Sequence, residues 1–184
     1  FGKIEQASDG LQALLDEVRN FAAPLRLEPS ATSLPDTWRD AWDSLHRERA
    51  VRQVILNEEL HGDPINCTVD RFRLVQVFRN LLENSLSACG DPVEITIRVT
   101  GSHSQNGDKL RILVEDNGPG LDGVQKKRIF DPFFSTKAKG TGLGMTIAQR
   151  IVEAHGGQLS VVDGDFQGAK FQIDLPRQVV CADR

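Results

Sequence analysis

Residues 70–89, DRFRLVQVFRNLLENSLSAC, carry one uninterrupted helical pattern, and no other stretch limits the fold as strongly. Asp70 is a good N-cap, and Gly90 and Pro92 stop the helix at about Cys89. At the helical period Leu74, Phe78, Leu81, Leu82 and Cys89 gather on one side, which must lie on an apolar surface. That surface is supplied downstream. Val93–Thr100 and Leu110–Glu115 alternate like paired strands, joined by the polar, turn-rich GSHSQNGD. A second helix is expected from about Gly142 to His155, ended by Gly156 and Gly157. Two closing strands, Gln158–Val162 and Ala169–Leu175, flank a GDFQG turn. Upstream, a helix from Pro35 to about Glu48 puts Trp38, Trp42 and Leu45 on one face, and Val51–Asn57 and Ile65–Val69 read as short strands. Helices and antiparallel-looking strands therefore mix in one domain, and the class this predicts is α+β, a two-layer α/β sandwich.

The first residues differ in kind. Ile4, Ala7, Leu11, Leu14, Val18 and Phe21 step by three and four, a heptad seam closed by Pro24. A helix of this kind lies on its own domain or pairs with a second copy. Nothing polar interrupts the seam, which favours a dimer-forming helix, although Gly10 weakens its middle. Residues 26–35 hold Pro29, Ser30, Ser33 and Pro35 without periodicity and read as a linker. The net charge of −4 argues against nucleic acid as a main partner. No apolar run is long enough to span a bilayer and no signal peptide is visible. Cys67, Cys89 and Cys181 are far apart with no CxxC spacing. This argues against a disulfide framework or a zinc site and for a reducing, cytoplasmic setting.

Three stretches carry chemistry. On the 70–89 helix, Asn80 and Asn84 lie one turn apart on the face opposite the apolar side, with Arg73 and Ser87. Asparagine is a mediocre helix former, so the stripe is either a solvated face or one wall of a polar cleft. An amide oxygen is a hard donor of the kind magnesium accepts, and it adds no charge beside a polyphosphate. Next, LRILVE runs into DNGPG, placing Asp116 where a strand ends. A carboxylate there can accept a hydrogen bond from the exocyclic amine of adenine, or it can bind a metal. Last, FDPFFSTKAKGTGLG ends with Gly140, Gly142 and Gly144 just before a helix. Backbone N–H groups at a helix N-terminus attract anions, and Lys137 and Lys139 add positive charge. The stretch lacks the GK[ST] of a P-loop and the preceding strand of a dinucleotide fingerprint. Phe130, Phe133 and Phe134 read as core, or as the pin of a cover over the site.

Taken in order, these stretches resemble the catalytic, ATP-binding region of sensor histidine kinases, within the gyrase-like (Bergerat) ATPase superfamily. NLLENSLSA at 80–88 looks like the N box and DNGPG at 116–120 like the G1 box. FDPFF at 130–134 looks like the F box, GTGLGM at 140–145 like the G2 box, and GAKFQIDLP at 168–176 like the last strand. The resemblance implies a mixed sheet of about five strands with three helices on one face. It implies ATP and Mg²⁺ as cofactors, with Asn84 ligating the metal and Asn80 beside it. Asp116 would bind the adenine amine, and Gly118 and Gly120 would shape that pocket. Lys137, Gly140, Thr141, Gly142, Leu143 and Gly144 would face the phosphates, the residues between Phe130 and Gly142 forming a lid. It makes residues 1–29 a remnant of a dimerisation helix with a linker, and 30–184 the catalytic domain. The implied partners are the dimerisation, phosphotransfer region of a parent kinase, a cognate response regulator and a second copy of the chain. The parent is either cytoplasmic or membrane-bound with this part in the cytoplasm.

The ATP-hydrolysing relatives carry a glutamate one turn before the metal-binding asparagine, and here that position is Asn80, which cannot take a proton at neutral pH. Glu83 adjoins Asn84 in sequence but projects about 100° away on a helix. A kinase is therefore expected rather than a hydrolase or a binding module without catalysis. An acceptor histidine is followed at once by Glu or Asp. His46, His61, His103 and His155 are followed by Arg47, Gly62, Ser104 and Gly156, so the acceptor is expected outside this stretch.

Overall fold

The computed structural model describes residues 24–60, 65–104, 107–137, 140–163 and 167–177, of which 101–104, 107 and 108 by backbone alone. The heptad seam, His61, Lys139 and Cys181 lie outside the described residues. The elements run β1 (Ser30–Ser33), α1 (Leu34–Ser44), α2 (His46–Arg49), β2 (Val54–Leu60), β3 (Asn66–Val69), α3 (Arg71–Ala88), β4 (Val93–Ser104), β5 (Gly107–Asp116), α4 (Gly123–Arg128), α5 (Gly144–Ala154), β6 (Gln158–Val161) and β7 (Lys170–Pro176).

The sheet has the order β2-β4-β5-β7-β6, with β2 parallel to β4 and the other pairs antiparallel. It is the expected mixed sheet of five strands. Alternation decides its two faces. Ile97, Val114 and Phe171 stand in one cross-strand row, and Val99, Ile112 and Ile173 in the next; all are buried. The opposite face is polar: Arg98 meets Glu59 and Glu115, Arg111 meets Asp174, and Lys170 meets Glu115. The three longer helices α1, α3 and α5 pack side by side over the apolar face. Trp38 of α1 meets Phe78 of α3 edge-on, ring centres 5.5 Å apart, and both are fully buried. Each fully buried apolar side chain of this kind contributes about 1.5–3 kcal/mol.

Two short elements depart from the sequence reading. Part of the supposed linker is the strand β1, which pairs antiparallel with β3. Just before it, the Glu28 N–H donates to Asp70 Oδ2 at 2.9 Å and Leu25 packs on the core. Four residues are too few to show alternation, and their partner is distant in sequence. Helix α4 was not expected either, although its signal was present. Asp122 and Gln125 form a capping box, with the Asp122 carboxylate accepting from Val124 and Gln125 N–H and the Gln125 amide oxygen accepting from Asp122 N–H. The helix expected from Pro35 to Glu48 breaks at Leu45 into α1 and α2.

His155 joins the two helices that matter most below. It is fully buried at the end of α5, its Nδ1 donates to Ile151 O at 2.7 Å, and its Nε2 accepts from Asp70 N–H at 3.0 Å. Asp70 is the N-cap of α3, its Oδ1 accepting from Arg73 N–H. The ring is thus a neutral tautomer, and burial pushes its pKa below the ordinary 6.5. A depressed histidine leaves stability intact above its unfolded value. Below about 6.5 the unfolded chain binds a proton that the folded chain refuses, so stability falls with pH. The slope approaches about 1.4 kcal/mol per pH unit. Urea midpoints followed from pH 8 to pH 5 should show this loss in the wild type. The slope should be shallower in His155→Gln, whose amide keeps both hydrogen bonds without titrating.

Candidate functional site

The Asn stripe, the DNGPG turn and the glycine stretch meet around one cavity of about 480 Å³. Asn80, Asn84, Asp116, Gly120, Lys137, Gly140, Thr141, Gly142 and Gly144 all line it. The topology explains the meeting. Strand β5 lies in the middle of the sheet and delivers Asp116 beneath α3, and α5 packs beside α3 with its N-terminus at the cavity wall.

Asp116 is 7% exposed and held by three donors, one from α3 and two from loop backbone. Ser85 Oγ of α3 donates to Oδ2 at 2.8 Å, and the N–H groups of Gly118 and Ala169 each donate to Oδ1 at 3.0 Å. A carboxylate has about four acceptor sites, and Asp116 also lines the cavity, where it can accept from a ligand. Such a group, with neutral donors around it, suits an amine N–H better than a metal. Among the described residues no group of His, Cys, Asp and Glu could hold a metal ion by itself. Beneath the carboxylate, the Cys89 thiol is pushed up to about 11, chiefly by burial and then by Asp116. It stays a neutral thiol, and Cys67, also buried, is likewise free.

The backbone around Asp116 is built on close approaches. Gly120 has φ +77°, and a Cβ there would lie 2.9 Å from Gly168 O. Gly168 has φ +93°, and its Cβ would lie 1.6 Å from Asp116 O. Gly168 and Ser85 are thus integral to the site, and the sequence reading passed over both. Gly168 sat in an ordinary-looking turn; Ser85 faced the apolar side of its helix, and a buried serine there was a usable signal.

At the other end, Asn80 Nδ2 donates to Gly144 O at 2.8 Å, which turns its own amide oxygen the other way. Asn84 Oδ1 accepts from Lys137 Nζ at 2.8 Å. Helix α5 brings first-turn N–H groups that lack intrahelical partners. Two of the residues assigned by resemblance do not line the cavity. Leu143 is fully buried, its side chain anchoring the start of α5 in the core, so it cannot present that side chain to phosphates. Gly118 stands behind Asp116 and acts on it through its N–H. The three phenylalanines also divide. Phe130 packs partly against the core and its carbonyl accepts from Thr146 Oγ1 at 3.0 Å. Phe133 is 63% exposed, and Phe134 lines the cavity with the Arg128 guanidinium 4.6 Å above its ring. Of the three, Phe130 is the one packed against the core.

This donor set fits a nucleotide that brings its own magnesium: hard amide oxygens, a lysine and a helix N-terminus at one end, an anionic acceptor at the other. Comparison with known proteins agrees with the architecture. Residues 69–179 match the model of the histidine kinase-, DNA gyrase B- and HSP90-like ATPases. The chain belongs to that family. Its relatives include the sensor histidine kinase ZraS of Klebsiella oxytoca, 33% identical over 176 residues, covering 94% of this chain and 37% of that protein. The sensor protein TdiS of Thauera aromatica is 30% identical over 175 residues, 94% of this chain and 31% of that protein. The chain spans about a third of the length of these relatives. Among solved structures, the catalytic domain of histidine kinase ThkA superposes with a TM-score of 0.72 at 28% identity, covering 82% of this chain and 97% of that one. Full-length ShkA in complex with AMPPNP has the same fold, with a TM-score of 0.79 at 23% identity over 98% of this chain and 39% of that one. The cavity lies within the residues that match this family model. Among the described residues no helix is long and apolar enough to cross a membrane.

Proposed function

We propose that this domain binds Mg-ATP in the cavity and transfers the γ-phosphoryl group to a histidine on the dimerisation region of a parent sensor kinase. The phosphoryl group then passes to a response regulator. The observation that carries the reading is that Asp116 and Asn84 line one cavity, the carboxylate locked by three donors. Asp116 takes the adenine amine. Asn84 ligates Mg²⁺ with Asn80 beside it, and Lys137 with the first turn of α5 holds the phosphates. Magnesium carried in with the nucleotide, held by those amide oxygens, would supply charge neutralisation for the phosphoryl transfer. The chain's own residues position: Ser85 and Gly118 aim Asp116, and Phe130 with Thr146 ties down the lid base. Partner structures give the same direction, one neighbour being histidine kinase ThkA in complex with the response regulator TrrA.

The reading puts the acceptor on another region of the parent: His155 is fully buried with both ring nitrogens bonded, and His46 is followed by Arg47 rather than by an acidic residue.

A hydrolysing switch is the second reading, favoured by one observation: Glu83 lines the cavity rather than turning away from it. It ranks second because its carboxylate is paired with Arg79 Nε at 2.8 Å. Calorimetry should show Mg-ATP binding clearly tighter than Mg-GTP, because the guanine oxygen would face the Asp116 carboxylate. Mixed with γ-labelled ATP and the separate dimerisation region of a parent kinase, the chain should place acid-labile, base-stable label on that region. Free phosphate without labelled protein would favour the switch.

A further inference from the structure

Lys137 bridges the lid and α3 across the cavity mouth. Its Nζ donates to Asn84 Oδ1, the oxygen assigned above to the metal, at 2.8 Å. Its backbone sits in a tight turn, the N–H on Ser135 Oγ at 3.1 Å and the carbonyl accepting from Gly140 N–H at 3.2 Å. The Lys137 side chain is exposed at this contact, and the Glu83 carboxylate nearby favours its charged form. An ammonium on that oxygen and a magnesium ion at about 2.0–2.1 Å from it would place two cations side by side. Their repulsion in a partly enclosed site makes the two occupants exclusive.

We propose that Lys137 is a two-position residue that gates the metal: on Asn84 Oδ1 it bars the divalent cation and holds the lid to α3, and a polyphosphate tail draws it off. The inference rests on the Mg-ATP reading and deepens it. Phosphate oxygens offer the ammonium a stronger, charge-assisted partner than a neutral amide. Once Lys137 moves to them, Asn84 Oδ1 is released to the cation that the same phosphates carry. Metal and phosphate therefore enter as a pair. Adenosine, which has no phosphate, leaves Lys137 in place and binds with no dependence on metal.

The test uses the chain as given, with a non-hydrolysable ATP analogue titrated at increasing Mn²⁺ in place of Mg²⁺. Bound metal is counted by electron paramagnetic resonance and bound nucleotide by calorimetry. Lys137→Met and Lys137→Arg are compared with the wild type, and thermal melts verify that all fold. In Lys137→Met the half-saturating metal concentration should fall about fivefold, while affinity at saturating metal weakens about fivefold through the lost phosphate contact. A merely structural lysine would move both in the unfavourable direction. Lys137→Arg, which keeps the charge, should retain the wild-type metal requirement. An unchanged or raised metal requirement in Lys137→Met overturns the gate. Failure of the wild type to bind the analogue at any metal concentration removes both readings. Binding by the wild type with an unmoved midpoint in Lys137→Met removes the gate alone.

Discussion

Asp116→Asn is expected to weaken ATP binding by about 10- to 150-fold, the equivalent of one charge-assisted hydrogen bond of about 1.5–3 kcal/mol. The reason is local. The carboxylate uses Oδ1 for the Gly118 and Ala169 N–H groups and Oδ2 for Ser85 Oγ. An asparagine keeps its oxygen on the two backbone donors, and the Ser85 hydroxyl turns to accept from the new amide. The remaining position then presents an N–H to the adenine N–H, donor against donor. The chain should still fold, with a thermal midpoint a few degrees lower. Purine riboside triphosphate, which lacks the 6-amino group, separates binding from folding. The wild type should bind it weakly, and Asp116→Asn should add little further loss. Equal loss of both nucleotides in the variant would point instead to a disturbed cavity.

Gly168→Ala is expected to produce the largest loss of stability. The new methyl group would sit 1.6 Å from Asp116 O, at a residue whose φ is +93°. Strained φ and forced overpacking cost about 1–3 kcal/mol each, so the sum is on the order of 3 kcal/mol or more. Separating Gly168 from the end of β5 relieves the clash and strains the Ala169 N–H bond to Asp116 Oδ1. Nucleotide affinity should therefore fall with stability. Gly90→Ala is the control. A Cβ there meets nothing within 4 Å, and the change should be neutral or stabilising by about 0.4–1 kcal/mol. Urea midpoints of the two variants check the contrast.

Much of this was legible from neighbouring residues. The period of α3, its Asp70 cap, the alternation of β4, β5 and β7 and the Gly stop after α5 are all local. Helical and strand repeats write themselves into a few consecutive side chains, so fold class and layer order followed. What failed was short or long-range. Strand β1 exists because β3 offers it an edge, and four residues carry no pattern of their own. Helix α4 was marked by its capping box and went unread because it is a turn and a half long. Leu143, placed among glycines by motif, is a core residue because α5 needs an apolar anchor where it leaves the lid.

The linear order of residues determined that one helix would carry Asn80 and Asn84 opposite its apolar side, that Asp116 would end a strand, and that a glycine stretch would start a second helix. Each follows from dihedral preference and side-chain period acting over a few residues. The tertiary structure alone decided that Ser85 and Ala169 converge on Asp116, that Gly168 must be bare, and that Lys137 rests on Asn84. Those contacts join residues up to 53 positions apart. They are set by the strand order and helix packing that minimise exposed apolar area, and no local repeat encodes them.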